Sequence, residues 1–362
     1  MKYQTKIAIV VPIFKVTGSE GIAHKVAKAL SKEGFDVSVL CSDSMKEGER
    51  DGEEKSGIQI RRFRSFFSIG KFARLWFPKN EGYDLIHFFG GYAHPHMFFL
   101  DRKNSKMFVS PFYPLHPRKL LGRALFSIAN NLWGKEALRK ADYCFAETNE
   151  EKAWIKKYNP KVGLLPFSLE EKYFSFKKSK RKSSKGYSLL FVGGHIPIKN
   201  IDILIRALPL IKKNVTLRIA GKETEYSKEC KRLARRLGVK NKVKWLGFLG
   251  FEEKMREYHN CDLFILPSKR EALGTTVIEA MSQKVPVITT NRGGLKEIVP
   301  SVRCLVEPND ERSLAEKINE FLEDPKLRRS LGEKGFNKVN REFRFQGLFK
   351  NYLKILKEEI SC

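Results

Sequence analysis

The chain has 362 residues, more than one hydrophobic core usually organises, so two domains with a cleft between them are expected. Hydrophobic residues make up 42% of it and charged residues 30%, which excludes a disordered chain and places the charge on a globular surface. The formal charge of +28 implies a polyanionic partner, whether a bilayer of acidic lipids, a nucleic acid or a phosphorylated substrate.

Six scattered cysteines, Cys41, Cys144, Cys230, Cys261, Cys304 and Cys362, form no C-x-x-C pair. Neither a zinc site nor a disulfide framework is therefore expected, and a reducing compartment is. The opening MKYQTKIAIVVPIF is too short an apolar run for a signal peptide, and nowhere is there a run of about 18 apolar residues. These features predict a cytoplasmic protein without a spanning helix.

Along the chain, an apolar run at 7–13 leads through the loop Thr17-Gly18-Ser19 into a helical pattern at 20–32 and an apolar run at 37–40, which is a β-α-β unit. RRFRSFFSIGKFARLWF at 61–77 mixes cations with aromatics and reads as an interfacial membrane segment, or as a solvated basic helix or loop. Short strands are predicted at 85–89, 107–110 and 143–146, with a helical segment at 118–140. After the polar KKSKRKSSK at 177–185 the alternation restarts. Strands at 189–193, 216–220, 243–246, 262–266, 285–289 and 304–306 alternate with helices at 201–211, 227–237, 275–282 and 295–299. Such alternation means a parallel sheet covered by helices, and the restart divides the chain. The predicted domains are 1–168 and 187–342, joined by a basic linker at 169–186, with a final helix at 343–362 packing back on the first domain.

Ligands of open parallel sheets bind where strand ends lead into helix N-termini. At Gly18 a small-residue loop could present backbone N–H groups to an anion, or could simply cap a helix. The stretch PSKREALGTTVIE at 267–279 says more. Glu271 and Glu279 lie eight residues apart, about 12 Å if the interval is helical. That exceeds the roughly 5 to 9 Å of a glycoside hydrolase acid pair. The spacing suits an extended ligand with hydroxyls at both ends and a diphosphate near the helix N-terminus, or else two ordinary surface glutamates.

The blocks LLFVGGHIPIKN, LRIAG, VKWLGF, CDLFILPSKREALGTTVIEAMSQKVPVITTNRGGLKEIV and LVEPND stand in the order and at the spacing of a known family. The chain resembles the retaining glycosyltransferase family 4, glycosyl transferases group 1, whose GT-B fold is α/β with two Rossmann-like parallel-sheet domains facing each other across a cleft. The resemblance implies that Glu271 bonds the donor sugar and stabilises the developing oxocarbenium ion, and that Glu279 holds the ribose hydroxyls. It makes Lys199 the partner of the donor diphosphate, with no metal and no cofactor needed. Gly18, Gly193, Gly274, Thr275 and Thr276 would give close backbone approach to the donor.

Where the family usually has an arginine this chain has Gly194, and His195, Lys269 or Arg270 could stand in. The family's active-site histidine falls in SPFYPLHP, so either His116 has taken that position or Phe112 occupies it. His94 and His96, in GGYAHPHM, are further candidates near the acceptor, because imidazole suits the polarising of a hydroxyl. His87, inside a strand, reads as structural.

The implied reaction moves a sugar from a nucleoside-diphosphate sugar to an acceptor hydroxyl with retention. The acceptor would be a sugar or lipid of a glycolipid or cell-envelope polysaccharide, and the site cytoplasmic, at the inner face of an anionic membrane. No nucleic acid partner is expected, since helix-turn-helix and base-stacking motifs are absent from the sequence. A catalytically silent GT-B scaffold, a basic nucleic-acid-binding protein and a nucleotide-sugar epimerase are the competing readings.

Overall fold

The computed structural model describes residues 5–11, 20–42, 52–54, 57–63, 67–69, 73–75, 82–90, 102, 104–111, 134–176 and 186–361. They fall into two compact units, residues 1–168 with 348–362, and residues 169–347. Among the described residues no helix is long and apolar enough to cross a membrane.

The first unit contains β1 (Lys6–Val10), β2 (Asp36–Ser42), β3 (Gly52–Glu54), β4 (Ile58–Phe63), β5 (Phe67–Ile69), β6 (Ala73–Leu75), β7 (Leu85–Phe89), β8 (Lys106–Ser110), β9 (Tyr143–Ala146) and β10 (Val162–Leu164). Its helices are α1 (Glu20–Lys32), α2 (Lys135–Lys140) and α3 (Asn149–Ile155). An eight-stranded sheet runs β10-β9-β8-β7-β1-β2-β4-β3, parallel except for the β3–β4 pair. Its central strands are apolar on both sides: Ile7, Ala8, Ile9 and Val10 are all buried, as expected of a parallel sheet with both faces covered.

The basic, aromatic stretch at 61–77 is extended where it is described. Arg61, Arg62 and Phe63 end β4, paired with β2, while β5 and β6 form a two-stranded antiparallel ribbon. The helix expected at 118–140 is described only from residue 134, where α2 follows.

The final helix, Phe345–Ser361, begins in the second unit and joins the first from Leu348. There Tyr352 is buried, and its hydroxyl lies 3.0 Å from His87 Nδ1, while His87 Nε2 lies 2.9 Å from Ser110 Oγ. Phe89, Phe108 and Phe145 surround the same imidazole. Burial lowers the His87 pKa well below 6.5, so the ring is neutral and one of its nitrogens must accept.

The second unit holds β11 (Tyr187–Val192), β12 (Val215–Ala220), β13 (Val243–Gly247), β14 (Leu263–Leu266), β15 (Val287–Thr290) and β16 (Leu305–Val306). With them alternate α4 (Ile201–Ala207), α5 (Glu225–Arg236), α6 (Phe251–Asn260), α7 (Thr275–Ser282) and α8 (Leu295–Ile298), followed by α9 (Glu311–Glu323) and α10 (Pro325–Glu342). The sheet order is β13-β12-β11-β14-β15-β16, parallel throughout. The chain steps outward from β11 to β13, then returns to β14 on the other side of β11.

Part of the expected linker is folded. Residues 169–176 belong to the second unit: Leu169 bridges Arg344, and a short 3-10 helix spans Glu171–Tyr173. The reason is packing. Tyr173 meets Phe251 edge to face at 5.0 Å, and its carbonyl accepts from Gln283 Nε2 at 2.5 Å. The polar KKSKRKSSK lies outside the described residues.

Candidate active site

The loops after β11 and β14 leave the sheet from neighbouring strands, at the point where the strand order reverses. Open parallel sheets hold ligands at such a switch point. The two loops are joined by a main-chain hydrogen bond, Lys269 N–H to the Ile198 carbonyl at 2.9 Å. Beside it Lys199 Nζ donates to Glu271 Oε1 in an ion pair, and Ser268 Oγ donates to the same oxygen at 2.8 Å. The other carboxylate oxygen of Glu271 accepts no hydrogen bond among the described residues.

The backbone of Glu271 is clamped from the loop after β15. Gly293 adopts φ +62°, and a Cβ there would stand 1.9 Å from the Glu271 carbonyl oxygen, so only glycine fits. Next to it Gly294 N–H donates to the carbonyls of Glu271 at 3.3 Å and Ala272 at 3.0 Å. Gly274, left-handed at φ +86°, precedes α7.

Glu279 is only 5% exposed, and its charge is met by three donors. Oε1 accepts from Lys254 Nζ at 2.7 Å and from the Tyr173 hydroxyl at 3.1 Å; Oε2 accepts from the Tyr258 hydroxyl at 2.9 Å. Burial, and then the charge of Glu279, push both phenols above their usual pKa, so each remains protonated and donates.

The interval between the two glutamates is not all helix. Glu271 lies in a turn, α7 starts at Thr275, and Glu279 is little more than one turn into it. The separation of about 12 Å expected of a continuous helix therefore does not apply. Thr275 and Thr276 supply the first two N–H groups of α7, where the helix dipole is positive. Gly193 follows β11; its N–H donates to the Ala220 carbonyl at 3.0 Å, and its carbonyl oxygen is packed against Gly221, where a Cβ would stand 1.9 Å from it.

Of the three substitutes for a cation at position 194, His195 is ruled out. The ring is fully buried, with Nδ1 3.0 Å from Ser227 Oγ. That oxygen also accepts from Thr224 N–H at 2.8 Å, which ties the imidazole to the start of α5. Burial lowers the His195 pKa, and the ring is neutral. Lys269 and Arg270 are both exposed. Gly18, Thr17, His94, His96, Phe112 and His116 lie outside the described residues.

Several residues of this site escape a reading of the sequence. Gly293 was legible in principle from the Gly-Gly pair in NRGGLKE, a signal for a tight turn. Ser268 follows a strand and precedes Glu271 by three residues. Tyr258 and Lys254 stand four apart on α6, a helix with a polar face too mixed to be read, and Tyr173 falls in the expected linker.

Residues 173–338 match the family described as Glycosyl transferases group 1. An uncharacterised glycosyltransferase of Methanocaldococcus jannaschii is 28% identical over 88% of this chain and 89% of its own. A GDP-mannose-dependent monoacylated alpha-(1-6)-phosphatidylinositol monomannoside mannosyltransferase of Corynebacterium glutamicum is 31% identical over 45% of each chain. Among solved structures, sucrose-phosphate synthase of Thermosynechococcus elongatus superposes with a TM-score of 0.80 at 19% identity, covering 99% of this chain and 100% of that one. The glycosyl transferases group 1 match covers residues 173–338, and the two parallel-sheet units have the fold of the GT-B glycosyltransferases.

Proposed function

We propose that this glycosyltransferase moves a sugar from a nucleoside-diphosphate sugar to an acceptor hydroxyl with retention of configuration. The observation that carries the reading is the convergence of Lys199 and Glu271 at the switch point, with buried Glu279 one turn along the helix that follows. On this reading Glu279 holds the ribose hydroxyls. A carboxylate offers about four lone-pair sites, so its three protein donors do not exhaust it. Lys199 exchanges its bond to Glu271 for the diphosphate, and Glu271, released, bonds the sugar and stabilises positive charge developing at its anomeric carbon.

The leaving phosphate takes the proton of the attacking hydroxyl on the same face, so the anomeric configuration is kept without a covalent enzyme intermediate. Lysine and the α7 N-terminus supply the charge that a metal would otherwise supply. The acceptor class is a glycolipid or a cell-envelope polysaccharide, in line with the phosphatidylinositol mannoside acted on by the Corynebacterium relative. A charge of +28 favours peripheral attachment to the acidic inner face of a membrane.

The experiment is a thermal-shift screen of UDP-, GDP- and ADP-sugars, followed by transfer from the best ligand. Transfer should be lost in Glu271→Ala, persist in a chelator and yield the donor's anomeric configuration by NMR. An inverted product would sink retention, and stabilisation by no nucleotide sugar would sink the donor reading. Equal, negligible sedimentation with acidic and neutral vesicles would remove the membrane.

A further inference from the structure

We propose that Lys269 is a ligand of the donor diphosphate, the second cation of the site beside Lys199; this rests on the donor reading above. A nucleoside diphosphate ester carries two negative charges and gains a third when the sugar leaves. Lys199 brings one positive charge, but it is paired with Glu271, so the two together are neutral. The N-terminus of α7 contributes roughly half a charge. A further cation is needed where the diphosphate sits.

Lys222, Lys269 and Arg270 are exposed near these loops and pair with no acid among the described residues. Their main chains differ. Lys269 N–H is bonded to the Ile198 carbonyl, the residue before Lys199, at 2.9 Å. The turn holding it is pinned on both sides, by Thr290 Oγ1 donating to the Ser268 carbonyl at 2.6 Å and by Ser268 Oγ on Glu271. The base of the Lys269 side chain is thus held beside Lys199 before any ligand arrives, and a preorganised cation binds with less ordering cost. Arg270 N–H makes no such bond among the described residues. Lys222 follows Gly221, which packs on Gly193 and donates its N–H to Gly247, on the β12–β13 side of the β11 loop and away from β14 and Glu271.

The same loop offers a site for rescue. Gly194 is exposed, and a Cβ built on it meets nothing within 4 Å. The Cβ of an arginine therefore fits there, five residues before Lys199.

The test is calorimetric titration of UDP, GDP and ADP, and of the matching nucleosides, into the full chain and its variants Lys269→Ala, Lys222→Ala and Lys269→Ala/Gly194→Arg, at low and high salt. For the diphosphate that binds best, Lys269→Ala should weaken binding about tenfold or more and flatten its salt dependence, as loss of a charge-assisted bond does. Nucleoside affinity should be unchanged, and Gly194→Arg should restore most of the loss. Diphosphate binding by Lys269→Ala within about twofold of wild type, or a loss found in Lys222→Ala instead, overturns the proposal alone. Failure of the wild-type chain to bind any nucleoside diphosphate overturns the donor reading, and this proposal with it.

Discussion

Replacing Gly293 by alanine tests whether the clamp on Glu271 positions the reacting group. The new Cβ would sit 1.9 Å from the Glu271 carbonyl oxygen, where real contacts fall no closer than 3.0 Å. Relief requires the Glu271 main chain to move by about 1 Å, and misplacement on that scale costs on the order of 10²-fold in rate. The left-handed φ of +62° adds about 1–2 kcal/mol for an L-residue. For a unit of this size that lowers the melting temperature by about 2–4 °C per kcal/mol. The assay is kcat/KM for transfer from the donor that stabilises best, with chemical denaturation alongside. Gly194→Ala serves as the stability control, because its Cβ meets open space, and it should change stability by less than about 0.5 kcal/mol. A folded Gly293→Ala enzyme with wild-type kcat/KM would refute the clamp.

Tyr258→Phe removes a buried donor to Glu279 Oε2, so donor KM should rise about tenfold with kcat much less affected; an unchanged KM would show that Glu279 is held well enough by Tyr173 and Lys254. Tyr352→Phe strands a ring nitrogen of buried His87, at a cost of about 1–3 kcal/mol in unfolding free energy, and a loss below about 0.5 kcal/mol would argue against that bond. Because the folded pKa of His87 lies below its unfolded value, the unfolded chain binds more protons at low pH. The His87 contribution is therefore complete above about pH 6.5 and is lost as the pH falls further, a slope His87→Gln should remove. Glu147 acts in the opposite sense: burial, with Glu151 nearby, raises its pKa to about 8, so its contribution is present at low pH and lost as pH rises towards 8. Glu147→Gln should match wild type in stability near pH 5 and exceed it at pH 8, and equal stability at both would contradict the shift.

Local rules reached a long way in the second unit. Its strands are short apolar runs bounded by turn residues, and β11, β12, β14 and β15 lie within a few residues of where period and punctuation put them. A block of motifs in register singled out Glu271, Glu279 and Lys199 as candidates, and the fold brings Lys199 and Glu271 into an ion pair. Other readings missed for local reasons. The helix at 201–211 ends at Ala207, with a 3-10 turn at Leu208–Leu210 around Pro209, since proline lacks the N–H that would continue it. The strands β3, β5, β6 and β10 are three residues long, too short for a period of two to emerge.

Sequence by itself determined the class of fold, because apolar periodicity is a property of the chain alone, and its motif spacing named Glu271, Glu279 and Lys199 as candidates. Tertiary structure decided how those groups are held. Lys199 is spoken for by Glu271, Glu279 is wrapped by Lys254, Tyr173 and Tyr258, His195 is turned inward to Ser227, and Gly293 admits the Glu271 carbonyl. Each of these joins residues between 21 and 106 positions apart. Such contacts depend on the packing of sheet and helix in space, and no local pattern of residues encodes them.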